Sequence, residues 1–189
     1  MAYEGLYKYP RSWHAPWSPG LQNDDRRIPS MDIFHGRRVI VTEKFDGEST
    51  TITPAVVHAR SLDSANHPSR DLVKAMASQW QHDIPNGWRI CGENVYAQHS
   101  IQYRREFGNA LPSYFLGFSI WDDKNSALSW DDTVEMFEMM EIPCARVLYD
   151  GVYDEALFRQ MTDELDTTKS EGFVIRVADA LTYEHFIPE

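Results

Sequence analysis

Cysteine is scarce in this sequence, which contains only Cys91 and Cys144 among 189 residues. Neither residue belongs to a Cys-x-x-Cys pair or to a Cys/His cluster, so the sequence predicts neither a structural zinc site nor a disulfide framework. We interpret both as buried thiols that pack like small apolar side chains.

Long apolar runs are also missing. No window approaches the roughly 18 consecutive apolar residues of a transmembrane helix. The opening residues, MAYEGLYKYPRSW, show neither the basic start and apolar stretch of a signal peptide nor a lipidation motif. The sequence therefore predicts a cytoplasmic protein with no membrane association.

Basic residues are outnumbered, with 18 Lys and Arg against 29 Asp and Glu and a net charge of −11. A wide basic face for gripping duplex phosphate is not expected at this charge, whereas a local basic groove remains compatible with it. The charge argues against a non-specific nucleic-acid binder, but it does not exclude an enzyme that acts on a nucleic acid.

What the sequence does contain suits one folded domain, because 42% of its residues are hydrophobic and 13% are aromatic. Residues 7–30 hold four of the ten prolines, and we expect residues 1–30 to form an ordered arm. RRVIVTE predicts a buried strand, with TTITPAVVHARS as its hairpin partner. We expect residues 1–189 to form a single domain without a carboxy-terminal accessory domain.

Helices and strands alternate irregularly after that point. PSRDLVKAMASQWQHDI and DEALFRQMTDEL have helical periodicity, and SWDDTVEMFEMMEI adds a Ser-x-x-Asp cap. Strands are predicted at GWRICGENVYA, SYFLGFSIWD, ARVLY and EGFVIRVA. Without the steady rhythm of a doubly wound sheet, the pattern predicts an α+β fold of mostly antiparallel sheets flanked by helices.

The segment VTEKFDGEST, residues 41–50, places Lys44 between Glu43 and Asp46. A lone lysine at a strand end is usually a solvated surface charge. An amine must lose its proton to act as a nucleophile, and these two acids alone would favour its charged form. They are explained if they organise the lysine and hold a hydrated Mg²⁺ once a nucleoside triphosphate binds.

Four further motifs follow Lys-x-Asp-Gly on successive strand-like segments: HARS, ICGENVY, SYFLGFSIWD and SEGFVIR. In this order the chain resembles the ATP-dependent RNA ligase family, within the superfamily of covalent lysyl-nucleotidyltransferases. The amino-terminal KYPRSWHAPWSPG is also similar to the segment that precedes the lysine motif in a group of RNA ligases. The resemblance implies a nucleotidyltransferase domain of the ATP-grasp-like ligase kind.

The resemblance implies that Lys44 attacks the α-phosphorus of ATP to form lysyl-AMP, with Mg²⁺ or Mn²⁺ as the metal. Asp46 would then orient Lys44 and the metal, and Glu171 would engage the catalytic metal. AMP would pass to an RNA 5′-phosphate end, and a 3′-hydroxyl end would complete the seal. The implied nucleotide-binding residues are Glu43 at the adenine edge, Arg60 at the ribose or a phosphate, Glu93 at the ribose hydroxyls, Phe115 stacked on adenine, and Arg176 near the phosphates.

The sequence leaves three questions open. Phe118 competes with Phe115 for the stacking role, because the two positions face opposite sides of a strand. Glu171 and Arg176 also fall on opposite faces by alternation. The family's Lys-x-Lys motif after the Glu-Gly segment has no counterpart here, since no lysine follows Lys169. The alternatives to an RNA ligase are a nucleotide- or RNA-end-binding module, a DNA ligase and a capping enzyme.

Overall fold

The computed structural model describes residues 6–19, 25–62, 67–97, 99–103 and 111–186. Within them the strands are β1 (Arg38–Lys44), β2 (Glu48–Ile52), β3 (Val57–Ala59), β4 (Arg89–Asn94), β5 (Phe115–Trp121), β6 (Ser126–Ala127), β7 (Val147–Val152), β8 (Gly172–Val177) and β9 (Leu181–Thr182). The helices are α1 (Asp71–Trp80), α2 (Trp130–Met139), α3 (Glu155–Asp163) and α4 (Tyr183–Phe186). Short 3-10 turns at Asp32–Phe34 and Pro68–Arg70 complete the described elements.

The strands form two sheets. One has three strands in the order β7-β1-β8, and the other has six in the order β3-β2-β4-β5-β6-β9. Every pairing between these strands is antiparallel. The predicted α+β class with antiparallel sheets and flanking helices is therefore confirmed.

The predicted hairpin between the first strand and TTITPAVVHARS is wrong. β1 pairs with β7 and β8, whereas that segment itself forms the β2–β3 hairpin in the other sheet. Phe45 to Gly47 carry the chain from one sheet to the other, so a turn signal there marks a crossover. Local patterns predict that two strands exist, but they cannot say to which sheet each belongs.

Each sheet packs one face against helices. Ile52, Ile90 and Phe115 of the six-stranded sheet join a core with Trp80 of α1 and Phe137 of α2. Ser129 caps α2 as predicted, because its hydroxyl accepts a hydrogen bond from Asp132 N at 3.1 Å.

The three-stranded sheet has its own core. Val39 and Val41 of β1 pack with Phe158 of α3, and Trp13 and Trp17 of the amino-terminal arm cover the same cluster. Where the arm is described, it also contacts the six-stranded sheet, since the Tyr9 ring lies 5.0 Å from Phe118.

Contacts between strands join the two sheets. Arg176 of β8 donates a hydrogen bond to the Phe118 carbonyl of β5 at 3.0 Å, and Gly117 of β5 forms an isolated bridge with Cys144 ahead of β7. We call the space between the end of β1 and the β4–β5 pair the inter-sheet cleft. None of the helices in the described ranges is long and apolar enough to cross a membrane.

Candidate active site

Lys44 and Glu171 lie together at one end of the three-stranded sheet. Lys44 is the last residue of β1 and is opposite Gly172, the first residue of β8. Its ammonium forms an ion pair with Oε1 of Glu171, and the two side chains are 48% and 38% exposed. The φ of +152° at Gly172 turns the chain, so the alternation of β8 does not extend to Glu171. Glu171 therefore reaches Lys44 although simple alternation assigns it to the other face.

Asp46 is held in place by the loop that follows β4. Its Oδ2 accepts hydrogen bonds from the backbone N of Ser100 at 2.7 Å, from the Ser100 hydroxyl, and from Ile101 N at 3.3 Å. Partial burial raises the pKa of Asp46, but these hydrogen bonds outweigh burial and leave the pKa below its ordinary value. Asp46 is thus a fixed, ionised carboxylate two residues from Lys44.

Glu93 of β4 is the third carboxylate near Lys44. Burial raises its pKa to about 8, while the nearby Lys44 charge and a hydrogen bond from Gly47 N oppose the shift. The charges of Glu171 and Asp46 raise it further. The site therefore holds more negative charge than Lys44 alone neutralises.

A row of polar side chains crosses the cleft face of the six-stranded sheet. Glu93 is opposite Ser49 of β2, and Arg60 N donates to Ser49 O at 2.9 Å, which extends the β2–β3 pairing by one residue. Residues directly opposite on antiparallel strands share a face. The sheet register therefore brings Arg60, Ser49 and Glu93 to one side, and Arg60 Nε also donates to the Tyr9 carbonyl at 2.9 Å.

Glu43 lines a cavity of about 410 Å³ next to this row. The other lining residues are Phe45, Leu111, Pro112, Leu116, Cys144 and Arg146. The Glu43 side chain is only 1% exposed, and its Oε2 lies 3.0 Å from Arg146 Nε. Burial raises the pKa of Glu43, and Arg146 and Ser170 only partly oppose that shift. A mostly apolar cavity with a few polar groups is the usual form of a small-molecule site.

Phe115 and Phe118 face opposite sides of the six-stranded sheet, as the sequence indicates. Phe115 has no exposed surface, and its ring packs 5.7 Å from Trp80 on the helix side. Leu116 is opposite Glu93 and therefore faces the cleft. A bulge after Cys91 makes Phe118 an extra residue, which packs with Leu116 and Tyr9 on the cleft side. This geometry does not support the stacking role predicted for Phe115.

Arg176 does not reach the Lys44 cluster in this structure. Its guanidinium donates to the carbonyls of Phe118 at 3.0 Å and Leu128 at 3.2 Å, and it lies 5.4 Å from the Trp130 ring centroid. Burial lowers its pKa. These contacts tie β8 to the other sheet, and they give no support to the predicted phosphate contact.

Sequence reasoning missed Ser100, Tyr103 and Arg146. Tyr103 accepts a hydrogen bond from Asp46 N, and Ser100 holds the Asp46 carboxylate. Both follow β4 in a segment without periodicity, so no sequence signal points to them. Arg146 could have been suspected only as the basic residue within the predicted strand ARVLY.

Within the described residues, no group of three or more His, Cys, Asp or Glu side chains is arranged to hold a metal ion. The carboxylates around Lys44 nevertheless have the hard oxygen donors that Mg²⁺ and Mn²⁺ prefer, and the charges of Glu171 and Asp46 add to burial in raising the pKa of Glu93. A cation shared between these carboxylates and a bound ligand fits the described residues better than an all-protein metal cage.

Comparison with known proteins adds a family and a fold. A family model described as RNA ligase matches residues 37–186. An archaeal ATP-dependent RNA ligase matches 80% of this chain and 42% of its own at 17% identity, with a TM-score of 0.59. A lysine-to-alanine variant of the Naegleria gruberi RNA ligase, solved with ATP and Mn, matches 82% of this chain and 52% of its own at 18% identity, with a TM-score of 0.56.

The matched structures support a shared fold over part of their length. At 17% and 18% identity the solved structures show a shared fold alone. The chain spans about half the length, or less, of the solved ligases that it matches. A search among curated proteins gives no match.

Proposed function

Because the chain belongs to the RNA ligase family, whose model matches residues 37–186, we propose that it is an ATP-dependent RNA ligase with Lys44 as the nucleophile. The contact that carries this proposal is the ion pair between Lys44 and Glu171 at the ends of paired strands, with Asp46 and Glu93 beside it. We also propose that the two sheets form a nucleotidyltransferase domain of the ATP-grasp-like ligase kind.

In the first step, Nζ of Lys44 attacks the α-phosphorus of ATP. A P–N bond forms, the bond between the α-phosphorus and the bridging oxygen breaks, and pyrophosphate leaves with the electron pair. The Lys44 ammonium first gives one proton to Glu171, the carboxylate already in contact with Nζ, and the attacking amine releases a second proton to solvent as the P–N bond forms. Asp46, fixed by Ser100 and Ile101, keeps the lysine end of β1 in register with the phosphate.

Recognition of the nucleotide falls to the six-stranded sheet and the cavity. Glu93 offers two acceptor oxygens to the ribose hydroxyls, and Arg60 lies two strands away on the same face. The buried Glu43 carboxylate accepts from the adenine amino group inside the cavity. Phe118, on the cleft side, supplies the stacking surface.

A divalent cation, when bound, neutralises charge on the phosphates, and Glu171 with its neighbouring carboxylates supplies the oxygens to hold it. Phosphoryl transfer depends mainly on positioning and charge neutralisation, so a site of one amine and several carboxylates suits it. The Naegleria ligase, solved with ATP and Mn, supports the pairing of this nucleotide with a divalent metal.

The later steps use RNA ends. AMP passes from Lys44 to a 5′-phosphate, forming a pyrophosphate linkage and restoring the free amine. A 3′-hydroxyl then attacks that 5′-phosphorus, the strand bond forms, and AMP leaves.

The test is intact mass after incubation with ATP and Mg²⁺ or Mn²⁺. The unmodified protein is expected to gain one AMP, and Lys44→Ala is expected to gain none. Lys124→Ala is the matched control, since Lys124 is an exposed lysine in the turn between β5 and β6. A wild-type chain that gains no AMP contradicts the proposal.

Two further assays separate the alternatives. Adenylylated protein is given RNA with a 5′-phosphate and RNA with a 3′-hydroxyl, and sealing is read on a denaturing gel; a DNA pair is run beside it. A gain of GMP in place of AMP would favour a capping enzyme. A gain of AMP without sealing of either pair would favour an RNA-end-binding module.

A further inference from the structure

The amino-terminal arm crosses the cleft face of the six-stranded sheet at Tyr9. The Tyr9 carbonyl accepts a hydrogen bond from Arg60 Nε at 2.9 Å. Its ring lies 5.0 Å from Phe118 and 6.2 Å from Trp121, edge-on to both. One arm residue thus contacts both a backbone-fixed guanidinium and an aromatic side chain on the face that carries Glu93.

We propose that Tyr9 is a positioning residue of the nucleotide site, which holds Arg60 and Phe118 in the orientation that binds the nucleotide. This inference rests on the proposed function, because Arg60 and Phe118 are its candidate ribose and adenine contacts. It adds a residue from the arm, which lies outside the family match at residues 37–186.

The geometry at Arg60 gives the first reason. A guanidinium is planar, so a hydrogen bond at Nε fixes the plane in which its other N–H groups lie. The Tyr9 carbonyl therefore determines how Arg60 faces the row that includes Ser49 and Glu93. The next residue, Pro10, is buried, and its fixed φ limits movement of that carbonyl.

The geometry at Phe118 gives the second reason. Phe118 is the extra residue of a bulge, so the regular ladder of β5 does not fix its direction. The Tyr9 ring packs edge-on against it, in an arrangement that aromatic pairs favour. Tyr9 itself is anchored, because its cluster also contains Trp121 and Tyr183, and Tyr183 Oη donates to the Lys8 carbonyl at 3.0 Å.

The proposal predicts a change in ATP binding with little change in the chemical step. In Tyr9→Ala the Phe118 contact is lost and the arm holds Arg60 less firmly. We expect KM for ATP in lysyl-AMP formation to rise about fivefold to tenfold, from the energy of one aromatic pair. The rate at saturating ATP is expected to stay within about threefold, since Lys44 and Glu171 belong to the other sheet. Tyr9→Phe keeps the ring and the carbonyl, so it is expected to match the wild type.

Trp17→Ala is the matched control. Trp17 anchors the same arm, but it packs on the core of the three-stranded sheet and against Arg159. If Tyr9 positions the site, Trp17→Ala leaves KM unchanged. An equal rise in both variants, or no rise in Tyr9→Ala, overturns the proposal. A fall in KM in Tyr9→Ala also overturns it, because the arm would then obstruct the site.

Two measurements distinguish a positioning role of Tyr9 from an effect on stability and from an effect on lysyl-AMP formation. Thermal unfolding is recorded for each variant, and Tyr9→Leu, which retains apolar bulk, is expected to restore stability while KM stays raised. ATP affinity is also measured by calorimetry in the Lys44→Ala background, where no lysyl-AMP forms. A weaker affinity in Tyr9→Ala, but not in Trp17→Ala, supports the positioning role even if the wild-type chain proves unable to react with ATP. Equal affinities there overturn it.

Discussion

The two sheets supply different kinds of groups to the candidate site. The three-stranded sheet contributes Lys44 and Glu171 from the ends of β1 and β8, where the side chains are 48% and 38% exposed. The six-stranded sheet contributes Glu93 and Arg60 within a register of paired strands. Reacting groups at exposed strand ends can exchange partners, whereas recognition groups set by register stay fixed. Under the proposed function, the exposed strand ends carry the chemistry and the six-stranded sheet binds the ribose, while Glu43 of β1 contacts the base from the cavity.

Glu171→Gln gives the largest effect expected of this division. The variant removes the negative charge in contact with Lys44, so we expect lysyl-AMP formation to slow by about 100-fold at saturating ATP, with KM nearly unchanged. Single-turnover labelling with ATP measures both quantities. Asp166→Asn, in the exposed turn before β8, is the control. A rise in KM without a slower rate would break the division between the sheets.

Gly47→Ala tests the crossover between the sheets through stability. A Cβ on Gly47 would lie 2.5 Å from the Asn94 carbonyl oxygen, which is backbone and cannot move cheaply. We expect a loss of about 1–3 kcal/mol in the free energy of unfolding, as for an overpacked core. Gly151→Ala in β7 is the comparison variant, since its Cβ would meet the Tyr149 side chain at 2.7 Å but, among its nearest contacts, no backbone atom, so a side-chain shift can relieve the contact. Urea denaturation measures the free energy of unfolding of both variants. An equal loss of stability in the two would contradict a backbone clash specific to Gly47.

Glu93→Gln tests whether the six-stranded sheet contributes to nucleotide binding and not to the chemical step. The variant keeps the shape of the side chain but cannot ionise, so it offers the ribose hydroxyls one acceptor oxygen, whereas the carboxylate that forms when the nucleotide and its cation bind offers two. We expect KM for ATP to rise about tenfold, equivalent to about 1.4 kcal/mol, with a saturated rate within about threefold of wild type. Steady-state labelling at a series of ATP concentrations measures the split, and Glu141→Gln on the exposed turn after α2 is the control. A slower saturated rate at unchanged KM would assign Glu93 to the chemistry.

The elements of the fold were largely predictable because their signals are local. The strand containing Lys44, the helix capped by Ser129 and the strand after Glu171 all follow from periodicity and cap residues. The assignment of β1 and β2 to different sheets was not predictable, because it depends on pairings far along the chain.

The residues of the candidate site likewise fall into those that local motifs identify and those that only the folded structure reveals. The motifs identify Lys44, Asp46, Glu93 and Glu171 as candidates, and the structure brings these four together. Alternation correctly separates Phe115 from Phe118, but it cannot reveal the bulge after Cys91 that makes Phe118 an extra residue. The Tyr9 contact with Arg60 joins two motifs far apart in sequence, and neither motif indicates that they meet.

The pH dependence of stability tests the burial of Glu93 directly. Its folded-state pKa of about 8 exceeds the ordinary value near 4.3, so between these values the folded state holds a proton that the unfolded state has released. The contribution of Glu93 to stability is therefore complete below about pH 4 and is lost as the pH rises towards 8. Glu93→Gln removes this dependence.

We accordingly expect the free energy of unfolding of Glu93→Gln to fall less steeply than that of the wild type between pH 5 and 8. One proton limits the difference in slope to about 1.4 kcal/mol per pH unit. Chemical denaturation at several pH values measures both slopes, and Glu141→Gln should follow the wild type because its side chain is exposed. Parallel curves for Glu93→Gln and wild type would mean that Glu93 is ionised and solvated at pH 7. Glu93 on the six-stranded sheet would then be as accessible to water as Lys44 and Glu171, and burial would not distinguish the two sheets at this position.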